Sequence, residues 1–177
     1  MGNPKPKGKR PGKSEHYYNR AKVAAERGTC LRRRIGAVII KDDVEISSGY
    51  VGSPRGTDNC TDGDRCLRIE LGIPSGERYE LCRSVHAEQN TIINASRVGI
   101  NILDGEMYIW SEKIKEAYNP GRETEKIYGP CMICKKMIIN AGLKKVHMTE
   151  KGVGTKTYTL KDIIEMLQEE EENLKNK

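Results

Sequence analysis

The sequence of 177 residues suits one domain of ordinary size, and it carries 31 Lys and Arg against 25 Asp and Glu, a formal charge of +6. That surplus argues against a broadly basic nucleic-acid surface: Lys5, Lys7, Lys9, Arg10 and Lys13 lie in residues 1–13 with no acid among them, which leaves about +1 for the rest. No run of about 18 apolar residues is present to span a membrane, the amino terminus lacks the apolar core of a secretory leader, and the six cysteines read as thiols or metal ligands of a cytoplasmic protein.

Residues 1–13, full of Pro and Gly, read as a disordered basic arm, and 14–177 as a single domain. Ser14 is placed to cap a helix whose apolar positions Tyr17, Tyr18, Ala21, Ala24 and Ala25 recur at three and four residues, stopping at Gly28. Ile35–Ile40 is a short β-branched run, and Lys41-Asp42-Asp43 turns it into a second strand over 45–50. Residues 51–82 show no sustained period and read as a long loop with a turn of helix near 77–81; a loop of that length is functional or pinned.

A helical pattern then runs from His86 to Val98, followed by a strand at Met107–Trp110 and a polar excursion over 111–129. Pro130 suits a first helical position, and Met132, Ile133, Met137, Ile138 and Ile139 carry that helix to Gly142. Lys145–Thr149 is a fourth strand. Thr159 caps a last helix with Ile163, Ile164 and Leu167 inward, before Glu169–Lys177 dissolves into a charged end. This alternation predicts an α/β protein, one sheet covered on two faces in a three-layer α/β/α arrangement.

The chemistry concentrates at His86-Ala87-Glu88 and, 45 residues on, Pro130-Cys131-Met132-Ile133-Cys134. One imidazole and two thiolates are three ligands for tetrahedral Zn²⁺, with the fourth position free for water. Both segments fall at predicted helix starts, where unpaired N–H groups and the helix dipole favour a thiolate. Cys131 and Cys134, three apart, face the same way. His86 and Glu88, two apart, would diverge in a regular helix, so Glu88 serves as the proton carrier only if the first turn points end-on at the metal. The order H-x-E then P-C-x-x-C matches the signature of zinc-dependent nucleobase deaminases. A lone C-x-x-C would instead suit a structural zinc.

Taken with these motifs, residues 14–150 resemble the deoxycytidylate (dCMP) deaminase family. The likeness extends through Thr29-Cys30-Leu31-Arg32-Arg33, Ile35–Ile39, Gly52-Ser53-Pro54-Arg55-Gly56, Gly76–Cys82, His86–Asn90 and Met137–Gly142. It implies a cytidine deaminase-like fold with a central mixed sheet, and an enzyme that hydrolyses dCMP to dUMP and ammonia in pyrimidine nucleotide metabolism. It further implies homo-oligomers, often hexamers, with dCTP and dTTP as allosteric effectors together with Mg²⁺. Glu88 is then the catalytic residue and Ala87 a substrate contact. Cys30, Cys60, Cys66 and Cys82 align with a second, structural zinc of some relatives, the alternative being free thiols.

Two departures bear on the substrate. The family reads Gly-Tyr-Asn-Gly where this chain has Gly49-Tyr50-Val51-Gly52, and valine cannot make the asparagine's hydrogen bond to the sugar. The stretch Ser111–Gly129 is also longer than in the family. For a substrate phosphate, Arg32, Arg33, Arg34 and Arg55 are all candidates, since arginine forks match phosphate oxygens. Deamination of another cytosine or modified pyrimidine nucleotide, deamination of a base in RNA, and a non-catalytic nucleotide-binding zinc protein stand as alternative functions.

Overall fold

In the computed structural model, which describes residues 10–74, 77–114 and 129–175, the chain is built outward from a tight hairpin. Strand β1 (Arg33–Lys41) turns through Asp42 and Asp43 into β2 (Val44–Tyr50), and both aspartates hold positive φ, 50° and 63°. A two-residue hairpin turn asks for left-handed backbone at both positions, and aspartate tolerates it. Strand β3 (Glu106–Lys113) pairs antiparallel with β1, β4 (Lys145–Glu150) parallel with β3, and β5 (Gly154–Thr159) antiparallel with β4. The mixed sheet runs β2-β1-β3-β4-β5.

Alternation along the strands sends Ala37, Ile39, Met107, Ile109, Val146 and Tyr158 to one face and Val38, Ile40, Tyr108 and Trp110 to the other. Helix α1 (Lys13–Ala25) covers the second face with Tyr17, Ala21 and Ala25. It lies close because β1 has no side chain at Gly36, where a Cβ would stand 2.2 Å from the Ala21 carbonyl oxygen. Over the first face lie α3 (Ala87–Arg97), α4 (Met132–Asn140) and α5 (Leu160–Lys175), contributing Ala87, Cys134, Ile138 and Ile163 to the core. The expected three layers are present. Among the described residues no helix is long and apolar enough to cross a membrane.

Several boundaries differ from expectation. Helix α1 starts at Lys13, which pairs with Asp43, and has Gly12 as its cap, so Ser14 is already inside it. Residues 1–9 of the basic arm lie outside the described residues, as do 115–128 of the polar excursion, whose first three residues belong to β3. The fifth strand is an addition: in Gly-Thr-Lys-Thr-Tyr-Thr only Tyr158 is buried, so an edge strand offers almost no apolar alternation to read. The charged tail is an addition too, since α5 continues to Lys175, tied to α4 by Lys135–Glu170 at 2.5 Å and Lys136–Glu171 at 3.8 Å. Thr159 caps α5 as expected, exchanging bonds with Asp162 of 2.7 Å from its backbone N–H, 2.8 Å from its hydroxyl and 3.2 Å in return.

Candidate metal centre

The loop between β2 and α3 is closed at its base, where Gly52 and Val85 exchange backbone hydrogen bonds of 3.1 and 2.8 Å. Its interior holds a short turn at Cys60–Asp62, the helix α2 (Leu67–Glu70) and the turn at Tyr79–Leu81 that falls inside the expected 77–81. This closure delivers the next residue, His86, to the start of α3. Three side-chain staples hold α3 to β2: Asn90 donates to the Tyr50 carbonyl at 2.8 Å, Asn94 to that of Ser48 at 2.8 Å, and Ser47 to that of Thr91 at 2.7 Å.

His86 is the N-cap of α3, with extended backbone at φ −70° and ψ 156°, and its N–H donates to the Gln89 side-chain oxygen at 2.9 Å. Because it stands outside the regular helix, its side chain is free of the helical angle that would turn it away from Glu88. Cys131 is likewise the N-cap of α4, at φ −64° and ψ 164°, and Cys134 sits fully buried in the first turn. The His86 Nδ1 atom lies 3.3 Å from the Cys131 sulfur and 3.4 Å from that of Cys134. All three ligand atoms lie within 4.8 Å of one another. A tetrahedral zinc with ordinary bond lengths needs N···S edges of about 3.6 Å. The donor set and its spacing therefore fit Zn²⁺.

Glu88 is 7% exposed, with its carboxyl against the Cys134 thiol. Burial pushes that carboxyl up, partly offset by His86. A hydrogen bond from the Cys134 thiol lowers Cys131 to about 4 against the effect of burial, with His86 adding to the fall. Cys134, which holds the proton, is raised by that same bond and by burial. Burial is the largest influence and opposes the charged imidazole, but the bond to Cys131 and the charges of Glu88 and Cys131 together outweigh it, and His86 lies above its ordinary value. A metal cation takes the place of these shared protons when it binds.

The other sequence candidates are dispersed. Arg33 is engaged by the buried Glu150 at 2.7 Å, Arg34 is exposed, and Arg32 meets Cys30 through its backbone N–H at 3.4 Å. Arg55 bonds Asn94 at 2.7 Å beside a cavity of about 370 Å³, whose lining includes Tyr50, Ser53, Asn90 and Arg97 on the outer side of α3. Ala87 is fully buried in the core and accepts the Thr91 hydroxyl at its carbonyl, 2.7 Å away. Val51 is 5% exposed; its N–H donates to Ile35 at 2.9 Å and its carbonyl accepts from Thr29 at 3.0 Å, so it fills a packing position under the α1–β1 connection.

Cys30, Cys60, Cys66 and Cys82 form no disulfide, and among the described residues no three of their sulfurs close to within 4.8 Å. Burial raises the Cys82 thiol, and Cys30 and Cys60 lie near enough to add to the rise. Sequence reasoning missed Tyr79 and Arg68. The Tyr79 ring meets the His86 imidazole edge to face, centroids 5.2 Å apart at 88°, and the Arg68 guanidinium stacks on Tyr79. No periodicity marks either residue, since α2 and the turn at Tyr79–Leu81 are each too short to show one.

The model of the cytidine and deoxycytidylate deaminase zinc-binding region matches residues 11–150. The chain is 30% identical over 139 residues to the deoxycytidylate deaminase of Schizosaccharomyces pombe, covering 77% of this chain but only 37% of that one. It is 28% identical over 141 residues to the deoxycytidylate deaminase of Mycobacterium phage D29, covering 77% of this chain and 94% of that one. The fold is that of the dCMP deaminase from cyanophage S-TIM5, with a TM-score of 0.57 at 23% identity over 91% of this chain and 94% of the other. The signature residues, the fold that brings them together and the extent of the match lead to one conclusion: this chain belongs to the cytidine and deoxycytidylate deaminase zinc-binding family.

Proposed function

We propose that the chain hydrolyses dCMP to dUMP and ammonia, with zinc held by His86, Cys131 and Cys134 and with Glu88 as the proton carrier. The observation that carries this reading is the burial of Glu88 beside the three ligand atoms, where a merely structural zinc has no need of a carboxyl. Relatives at 30% and 28% identity that are named deoxycytidylate deaminase support the choice of substrate. When bound, zinc supplies an acidified water as the nucleophile. Glu88 accepts a proton and passes it to the pyrimidine N3, then delivers one to the departing amino nitrogen.

Val51 favours a second reading within the same chemistry, that another cytosine or modified pyrimidine nucleotide is the substrate. Its buried side chain offers no hydrogen bond to a sugar. Ammonia release by the zinc-loaded protein from dCMP, CMP and dCTP side by side separates the two. Release from dCMP is the expected result; release from none of the three, with zinc confirmed, removes the dCMP reading.

The same proposal extends, through the family resemblance, to homo-oligomers and to dCTP and dTTP effectors with Mg²⁺. Stimulation of the dCMP assay by dCTP and Mg²⁺ is its expected sign. A second zinc at Cys30, Cys60, Cys66 and Cys82 is supported by four cysteines outside any disulfide, with Cys30 and Cys60 near enough to act on Cys82. Metal analysis is then expected to return two zinc ions per chain, and a single one removes the second site.

A further inference from the structure

Arg68 of α2 is 5% exposed, and a guanidinium so far from water needs partners. Its Nη2 donates to the carbonyl of Pro74 at 2.9 Å and to that of Glu77, while its Nε has no hydrogen-bond partner among the described residues. Its carbon Cζ lies 4.9 Å over the centre of the Tyr79 ring. That ring in turn meets the His86 imidazole edge to face. The stacked cation and the perpendicular ring pair are both favourable uses of the aromatic quadrupole.

The backbone around Tyr79 is held from both sides. Arg78, directly before it, adopts the left-handed conformation at φ 46° and ψ 53°, and its Nε donates to Glu80 at 3.0 Å. The Cys82 N–H returns to the Tyr79 carbonyl at 3.0 Å. A non-glycine residue keeps positive φ where its surroundings over-determine it. The pairing of Gly52 with Val85 then fixes the chain one residue before His86.

We propose that Tyr79 is a positioning residue for His86 and that Arg68 anchors it, so that the imidazole holds Nδ1 toward the sulfurs of Cys131 and Cys134. The inference rests on the zinc reading of that cluster. As the N-cap, His86 stands outside the regular helix, and among the described residues Tyr79 is the ring against which the imidazole lies. Outer groups that orient a histidine ligand change metal affinity by about 10- to 100-fold. The long loop thereby has a task at the metal: α2 and the Tyr79 turn form a strut that ends on a ligand.

Cobalt(II) loading of the full chain tests this, because its visible bands respond to imidazole and thiolate geometry. Tyr79→Leu is expected to weaken cobalt binding about 10-fold or more and to shift the bands, and Tyr79→Phe to restore both. Arg68→Lys keeps the charge but loses the planar fork, and is expected to fall between them. Thermal melts followed by circular dichroism separate misplacement from unfolding; if Tyr79→Leu does not fold, Arg68→Lys carries the same readouts. Wild-type affinity and spectrum in folded Tyr79→Leu overturn the strut, whether or not the chain deaminates dCMP. The expected shifts in the variants, with a wild-type chain that binds cobalt yet releases no ammonia from dCMP, leave the strut standing and overturn the dCMP reading. A wild-type chain that binds no cobalt overturns both.

Discussion

One face of the sheet carries Val38, Ile40, Tyr108 and Trp110 beneath a single helix, while the other carries Ala37, Ile39, Met107, Ile109 and Val146 beneath three. The strands are shared, so the difference lies in how the helices approach. Helix α1 lies along its face, fitted over Gly36 and rings. Helices α3 and α4 both present their N-caps, His86 and Cys131, to one point. Strands β2 and β3 both run antiparallel to β1, and the segments that leave them lead into α3 and α4. Chain direction therefore gathers two helix N-termini at one edge, where thiolates are favoured. The consequence is a division between a face that holds the fold and a face that holds the chemistry.

The largest expected effect breaks the chemistry and spares the fold. Glu88→Gln keeps the shape of the side chain and removes its proton transfer, so turnover should fall by about 10²- to 10⁴-fold with zinc content and melting temperature near wild type. Full ammonia release by that variant would exclude Glu88 as the proton carrier. The converse change lies on the α1 face. Gly36→Ala would place its Cβ 2.2 Å from the Ala21 carbonyl oxygen and 2.4 Å from the Ala25 nitrogen, and backbone cannot yield as a flexible side chain does. A loss of about 3 kcal/mol is expected in denaturant unfolding, with turnover per folded molecule unchanged.

A smaller effect tests how α5 supports the site face. Lys135, next in sequence to Cys134, is 1% exposed and pairs with a Glu170 that is 45% exposed. Glu170→Ala would strand the buried ammonium, at about 1 to 2 kcal/mol after allowing for the partner's exposure. Lys135→Met fills the same volume without a charge and is expected to cost less. If the two variants melt together well below wild type, the pair itself stabilises the helix contact beyond this difference.

Strong periodicity and motif chemistry were legible in the chain, and their absence explains the rest. The runs Ile35–Ile40 and Met107–Trp110 announce buried strands because both faces are covered. His86, Glu88, Cys131 and Cys134 stand out by residue type and spacing, and the fold brings them together at two N-caps. By contrast, β5 exposes most of its side chains, so its place is set by pairing with β4, which no local pattern records. The last turns of α5 are polar and persist through contacts with Lys135 and Lys136. Arg68 and Tyr79 stand eleven positions apart, one in the four-residue α2 and the other in a three-residue turn, both too short to show a period. The arginine candidates could not be ranked for a related reason: charge identifies a residue's capacity, while Arg33 is drawn to Glu150 and Arg55 to Asn94 by partners distant in sequence.

The smallest expected effect belongs to the α1 face, beyond the helix. His147 stacks on Tyr108 with centroids 4.3 Å apart, and its ring nitrogens meet Thr157 and Glu106, each at 3.0 Å. Burial lowers its pKa below the ordinary 6.5, against the opposing pull of Glu106 and with Lys145 adding slightly to the fall. The unfolded chain then takes up the proton more readily, so stability is fully present above pH 6.5 and declines as pH falls through that value toward the lower folded pKa. His147→Gln retains hydrogen-bonding capacity without this titration, and its unfolding free energy should vary less with pH in that window. Both proteins share the protons of the zinc site, so the difference between their pH profiles isolates His147. Parallel profiles would mean that the imidazole keeps its ordinary pKa on this face, and that the α1 side contributes packing alone.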